Sequence, residues 1–251
     1  MMRLKDKVCI VTGGTRGIGF SVVESYLQEG AKVCICGSSD TSANKAYEQL
    51  IAQGYNPKHF MAKGINLDDI EQINQVFSEV KDKFGKIDVL VNNAGITTSQ
   101  SILDTSIDSF KHELNINLVG VFACIKAVIP YMIDNGGGSI INTSSLVARY
   151  GSINQPGYVA SKFGVNGLTI EASRELGKYN IRVNAVSPGV VKTDMVKENV
   201  TEEMLVYLNS LTPLQRMGNP EEIAGAYVYL ASDESSYTTG TNIDVNGGII
   251  K

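Results

Sequence analysis

The chain has 251 residues and a formal net charge of -4, enough length for a sizeable core and none of the basic surplus a nucleic-acid binder needs. Hydrophobic residues at 43% and charged residues at 19% exclude a disordered polymer. The start carries Arg3, Lys5, Asp6 and Lys7 without an apolar core, and no uninterrupted apolar run of about 18 residues follows, so neither a secretory leader nor a membrane span is expected. Cys9, Cys34, Cys36 and Cys124 form no CxxC pair. Cys34 and Cys36 alternate along an apolar run as small hydrophobes on one strand face, a usage that predicts a reducing compartment, the cytoplasm.

In chain order, residues 7–11 (KVCIV) read as a strand, TGGTRGIG follows at once, and residues 17–28 read as a helix. Strands are predicted at 31–36, 58–62 and 87–91, with helices at 43–52 and from Asp68 or Asp69 to 84. The run IDVLV at 87–91 is apolar throughout, as a sheet covered on both faces requires. A long helix at 107–133, a strand at 139–143, a helix after Pro156 and a strand at 182–186 come next. A helix at 221–231 and a short strand at 241–245 close the series, with no repeat, linker or low-complexity segment. Such alternation predicts right-handed crossovers and one domain, residues 1–251, built on a doubly wound parallel sheet flanked by helices.

Ligands of such sheets bind beyond the carboxyl ends of the strands. The glycines of TGGTRGIG let the backbone turn tightly and approach a pyrophosphate at the start of the next helix. Their spacing is GxxxGxG, and a tight connection with no ligand is the plainer alternative. Tyr158 and Lys162 are four residues apart behind Pro156, a residue suited to a first helical turn, so both side chains lie on one helical face. A fixed cation beside a phenol favours the phenolate and brings its pKa toward neutrality, where it can transfer protons. The same pair also decorates ordinary helices. Asn115 and Asn117 interrupt an otherwise apolar helix; a buried amide needs partners, and either a water relay or a capped kink would supply them. His59 and His112, the only histidines, lie far from Ser145 in sequence, so neither a serine-histidine hydrolase nor a metal site is expected.

Taken together, TGGTRGIG, NNAG at 92–95, Asn117 in NINLVG, Ser145 in NTSSL, YVASK at 158–162, Pro188 and Gly189 in VSPGVVKTD, and the closing DVNGG resemble the short-chain dehydrogenase/reductase family. The resemblance spans nearly the whole chain and implies a single Rossmann-type domain that interconverts a secondary alcohol and a ketone. It implies Tyr158 as the acid/base, with Lys162 lowering its pKa and holding the nicotinamide ribose. Ser145, thirteen residues before Tyr158, would bond the substrate oxygen, and Asn117 would anchor a water linking Lys162 to solvent. It further implies cofactor contacts at Gly13, Thr15, Arg16, Gly17, Ile18 and Gly19, at Ser38, and at Asn66 and Leu67. Others fall at Asn93, Ala94 and Gly95, at Tyr158 and Lys162 themselves, and at Pro188, Gly189, Val191 and Thr193. Homodimers or homotetramers, paired through helices near 110–133 and 156–176, are the family's habit.

Cofactor choice turns on the end of the second strand, where an acid holds the ribose of NAD. Here the residues are Cys36, Gly37, Ser38 and Ser39, with Asp40 read as a helix cap and Arg16 as a positive charge for a 2′-phosphate, so NADP(H) is expected over NAD(H). Val200, Met204, Tyr207, Leu208 and Leu211 form an apolar stripe in the segment 190–215, which either packs on the domain or closes as a lid over an apolar substrate. The resemblance is nearest to bile-acid-type hydroxysteroid dehydrogenases, with 3-oxoacyl-(acyl-carrier-protein) reductases as the alternative. The turn at 134–138 lacks the basic residues that would meet an acidic carrier, while Arg174 and Lys178 lie on a later helix. A non-catalytic NADP sensor has no need of Ser145, Tyr158 and Lys162 together.

Overall fold

A computed structural model describes residues 2–249. β1 (Val8–Thr12) passes through the glycine turn into α1 (Gly17–Gln28), and β2 (Lys32–Gly37) leads to α2 (Asp40–Ala52). β3 (Phe60–Gly64), α3 (Ile70–Phe84) and β4 (Val89–Asn92) follow. α4 (Ile107–Leu114) continues through a π-helical turn at Asn115–Val119 into α5 (Gly120–Asp134), then β5 (Gly138–Thr143), a single-turn α6 (Val147–Tyr150) and the long α7 (Pro156–Leu176). β6 (Ile181–Pro188), α8 (Asp194–Asn199), α9 (Glu202–Leu211), α10 (Pro220–Ala231) and β7 (Asn242–Val245) complete it.

All seven strands pair in parallel in the order β3-β2-β1-β4-β5-β6-β7. The chain therefore winds outward one way from β1 and returns to β1's other side at β4, so the strand order reverses between these two and a crevice opens at their carboxyl ends. Every residue of β1 and β4 is buried, because helices cover both faces. Phe77 of α3, Val128 of α5 and Val165 of α7 pack one face; Tyr26 of α1, Leu50 of α2 and Tyr227 of α10 pack the other. Cys34 and Cys36 share one face of β2, with sulfurs 3.9 Å apart.

Three local outcomes differ from expectation. The third strand starts at Phe60 because Pro57 opens a 3₁₀ turn, capped by Asn56 Oδ1 accepting from Lys58 N at 3.0 Å. Ser39, not Asp40, caps α2: its Oγ accepts from Ser42 N at 3.2 Å. The segment after 190 forms two helices, and of the apolar stripe only Val200 falls outside the second, which carries Met204, Tyr207, Leu208 and Leu211 and is capped by Thr201 Oγ1 at Met204 N (3.2 Å). Residues Ile107–Asp134 form a continuous helical stretch long and apolar enough to cross a membrane, but here it packs against α3, α7 and the sheet.

Candidate active site

The cleft at the carboxyl ends of the strands encloses about 900 Å³ and runs from the glycine turn to the α8–α9 segment. Every residue predicted above as a cofactor contact lines it, as does Ser145. Asn117 lies behind the wall, fully buried.

The cofactor half is shaped by backbone proximity. Gly13 sits at φ +62°, and a Cβ there would come within 2.8 Å of Ala94 Cα; a Cβ on Gly19 would overlap the Gly13 carbonyl. Asn93 ties the two strand ends together, its Nδ2 donating to Gly13 O at 3.0 Å and to Thr12 O at 3.2 Å, while Asn93 N donates to Thr12 Oγ1 at 3.1 Å. No side chain caps α1, so the N–H groups of its first turn remain for an anion in the cleft. A glycine cradle that any side chain would fill, ending in an uncapped helix, fits a dinucleotide pyrophosphate.

At the ribose end, Ser38 is exposed in the cleft. The only carboxylate nearby in sequence, Asp40, is occupied elsewhere: its Oδ1 accepts from Gly64 N at 2.8 Å, which replaces the capping role expected of it. Arg16 is mostly exposed, 3.7 Å from Asp194 across the cleft. Asn66 Oδ1 accepts from Asp68 N at 3.1 Å. Thr193 meets the glycine turn, where a Cβ on Gly17 would reach its methyl at 3.2 Å. Gly189 approaches the backbone of Asn246 so closely that a Cβ would lie 2.7 Å from its Cα.

At the centre, Pro156 starts α7, Tyr158 stands in its first turn and Lys162 one turn further. Lys162 is buried at 3% exposure, and Nζ donates to Thr143 O at 2.7 Å. Burial holds its pKa down to about 8. Nζ lies 5.5 Å from the centroid of the Tyr158 ring. The expected lowering of the Tyr158 pKa does not appear in this structure. Burial raises it, the Ser145 hydroxyl offsets part of that rise, and the Glu113 carboxylate adds to it. Desolvation of the phenolate outweighs a cation whose nearest bond is to a backbone carbonyl.

Ser145 Oγ accepts from Val147 N at 3.3 Å, which turns it toward the first residue of α6. Asn117 Oδ1 accepts from Ile96 N at 2.8 Å, and its Nδ2 donates to Ile96 O at 2.8 Å and Ser161 Oγ at 3.2 Å. These bonds satisfy the buried amide, and the helix departs from regular α geometry at the same place, in the π-turn at Asn115–Val119. Thr143 Oγ1 and the Tyr227 hydroxyl, 2.7 Å apart, form a buried polar pair beneath this floor. The sequence offered no hint of it.

The cleft is also lined by Met204, Tyr207 and Leu208 of α9 and by Ile96, Val147 and Ile153, together with the polar Ser152, Asn154 and Gln155; His112, distant from Ser145 in sequence, lines the same cleft. Glu113 carries a signal in the sequence, since Phe110, Glu113, Leu114 and Asn117 fall at i, i+3, i+4 and i+7 on one helical face. The turn at 134–138 enters β5 at its amino end, on the sheet edge opposite the cleft, and Arg174 and Lys178 precede the amino end of β6. None of these residues lines the cleft. What the centre can do is hold a carbonyl or hydroxyl oxygen beside Ser145 and Tyr158 and exchange one proton with it.

A family model described as enoyl-(acyl carrier protein) reductase matches residues 13–250. The chain is 46% identical over 246 residues to a 3alpha-hydroxysteroid dehydrogenase of Mediterraneibacter gnavus, covering 98% of each chain. It is 42% identical over 249 residues to a 3-oxoacyl-(acyl-carrier-protein) reductase FabG of Thermotoga maritima, covering 99% of this chain and 100% of the other. A FabG of Vibrio harveyi is 37% identical over 248 residues, covering 99% of each.

Proposed function

Since the chain belongs to the short-chain dehydrogenase/reductase family, and is an oxidoreductase acting on CH–OH groups with a nicotinamide cofactor, we propose that it uses NADP(H) to interconvert the hydroxyl and ketone of a rigid apolar substrate of the sterol or bile-acid type. The observation that carries the substrate class is the presence of Met204, Tyr207, Leu208, Ile96, Val147 and Ile153 in the lining of the cleft, with His112, Ser152, Asn154 and Gln155 in the same lining to fix orientation. The hydroxysteroid relative supports it.

The residues fit the cofactor. The glycine turn and the start of α1 would hold its pyrophosphate, Ser38 and Arg16 a 2′-phosphate, and Lys162 the ribose beside Tyr158. When bound, the nicotinamide supplies or accepts the hydride. Ser145 donates a hydrogen bond to the substrate oxygen and orients it. Tyr158 gives its phenolic proton to that oxygen during reduction and takes it back during oxidation. The α8–α9 segment closes over the apolar body of the substrate and excludes water from the reacting carbon.

Fatty-acid synthesis is the second reading, with a 3-oxoacyl thioester as substrate; the 42% relative over the full chain favours it. A panel of steroids, acyl thioesters and small ketones, followed as NADPH oxidation, separates the two. Met204→Ala with Leu208→Ala should raise the KM for a steroid several-fold while leaving a small ketone nearly unchanged. Efficient acetoacetyl-thioester reduction with no steroid activity assigns the chain to the second reading.

A homodimer or homotetramer completes the proposal. Val119 and Phe122 on one helix and Phe163 and Ile170 on α7 leave large apolar side chains about half exposed on neighbouring surfaces. Four free, buried cysteines accord with the cytoplasm as its compartment.

A further inference from the structure

Glu113 is a carboxylate at 3% exposure, on α4 one turn before Asn117. Among the described residues it makes no ion pair. Its Oε1 accepts from both the backbone N and the hydroxyl of Thr98, in the loop that follows β4. The other oxygen faces the start of α7, where a Cβ on Gly157 would overlap it. Gly157 immediately precedes Tyr158, and Thr97 and Ser99, on either side of Thr98, line the cleft. Two further bonds join the same segments: Gln155 Nε2 to Thr97 Oγ1 at 3.3 Å, and Gln100 N to Asn154 O at 2.8 Å.

We propose that Glu113 is a positioning residue: its buried carboxylate clasps the loop after β4 to the first turn of α7 and sets a fixed negative charge near the phenol of Tyr158. A buried carboxylate is costly to keep unless its oxygens are satisfied, and a lysine or arginine partner would be the usual remedy. Here two donors of one threonine serve instead, so the charge is left uncancelled toward Tyr158. The missing side chain at Gly157 gives it room. The groups facing Tyr158 are Glu113 from α4, Lys162 from its own helix, Tyr227 from α10 and the Ser145 hydroxyl. Of these, Glu113 is the only carboxylate, and the direction it imposes on the phenol is upward. The enzyme would thereby keep Tyr158 protonated, and so ready to act as an acid, across a wider pH range.

The proposal rests on Tyr158 as the acid/base, and its test needs no turnover. The phenolate absorbance of the protein is titrated with pH, and the same protein carrying Tyr158→Phe is subtracted, which isolates this tyrosine from the others. Glu113→Gln keeps the shape and removes the charge; it should lower the midpoint by about one pH unit, the scale of a nearby uncancelled charge. NADPH affinity should stay within about twofold of wild type. Where a substrate is turned over, the fall of the reduction rate at high pH should move down by the same amount. Gly157→Ala, which forces the carboxylate away from α7, should shift the midpoint in the same direction and decides the matter if Glu113→Gln does not fold. Midpoints equal to wild type in the folded variants overturn the proposal, whereas a shifted midpoint without activity on any ketone keeps it and rejects only the catalytic reading.

Discussion

The ammonium of Lys162 is bonded to the carbonyl oxygen of Thr143 at 2.7 Å. Thr143 ends β5, two residues before Ser145, so the strand that delivers the serine also fixes the lysine. The same ammonium is 5.5 Å from the ring centroid of Tyr158 and is nearly shut off from water. A lone cation with a neutral backbone partner is a poor arrangement for stability and a good one for meeting ribose hydroxyls.

This gives the first prediction. Burial holds the Lys162 pKa at about 8, against 10.5 when exposed. Below pH 8 the group is charged in both folded and unfolded chains, and the burial cost is felt in full. Between pH 8 and 10.5 the unfolded chain binds more protons, so this lysine's contribution to stability rises with pH; above 10.5 the cost is gone. Lys162→Met removes the titration, so its stability relative to wild type should fall by about 3 kcal/mol across that window. Unfolding of the cofactor-free proteins in denaturant at pH 7.5 and 10.5 measures it. A constant difference would reject the charged buried lysine.

Tyr158→Phe tests the chemistry. The ring still packs and the cofactor cradle is untouched, so NADPH affinity should change little, while turnover should fall on the order of a hundredfold or more. Fluorescence titration with NADPH and steady-state rates give the two numbers. Near-normal turnover would take the acid/base role away from Tyr158.

Ser38→Asp tests the cofactor. A carboxylate at the end of β2 repels a 2′-phosphate and accepts from ribose hydroxyls, so preference should move from NADPH toward NADH. The ratio of kcat/KM for the two cofactors reads the shift directly. Wild-type preference for NADH would sink the inference from Ser38, Arg16 and the diverted Asp40.

Much of this architecture is legible in the chain because strands buried on both faces leave continuous apolar runs and the glycine turn marks the first crossover. Boundaries slipped where local capping competes with pattern. Pro57 and Asn56 turn the backbone before β3, and Ser39 takes the cap because Asp40 is drawn to Gly64. The predicted cofactor contacts share one cleft with Ser145, while Asn117 lies behind its wall. Their electrostatics could not be read, because the Tyr158 pKa depends on how far burial and Glu113 outweigh Lys162, and all three are matters of three-dimensional distance. Glu113 itself had a visible signal, a charge on the inner face of an amphipathic helix. Gly157 had none until that carboxylate was located.

The π-turn at Asn115–Val119 makes the helix from α4 to α5 a ruler with one extra mark. A π-turn carries about one residue more than the α-helix it interrupts. The wide turn takes up that residue by itself, so deleting one residue there would restore a regular helix and leave α4 and α5 in nearly the same phase. Glu113, upstream of the turn, would keep its side of the helix, whereas Asn117, inside the turn, would lose the path that sets it against Ile96. The extra residue therefore serves Asn117, whose buried amide no other side chain in this stretch could replace, and not the helices on either side.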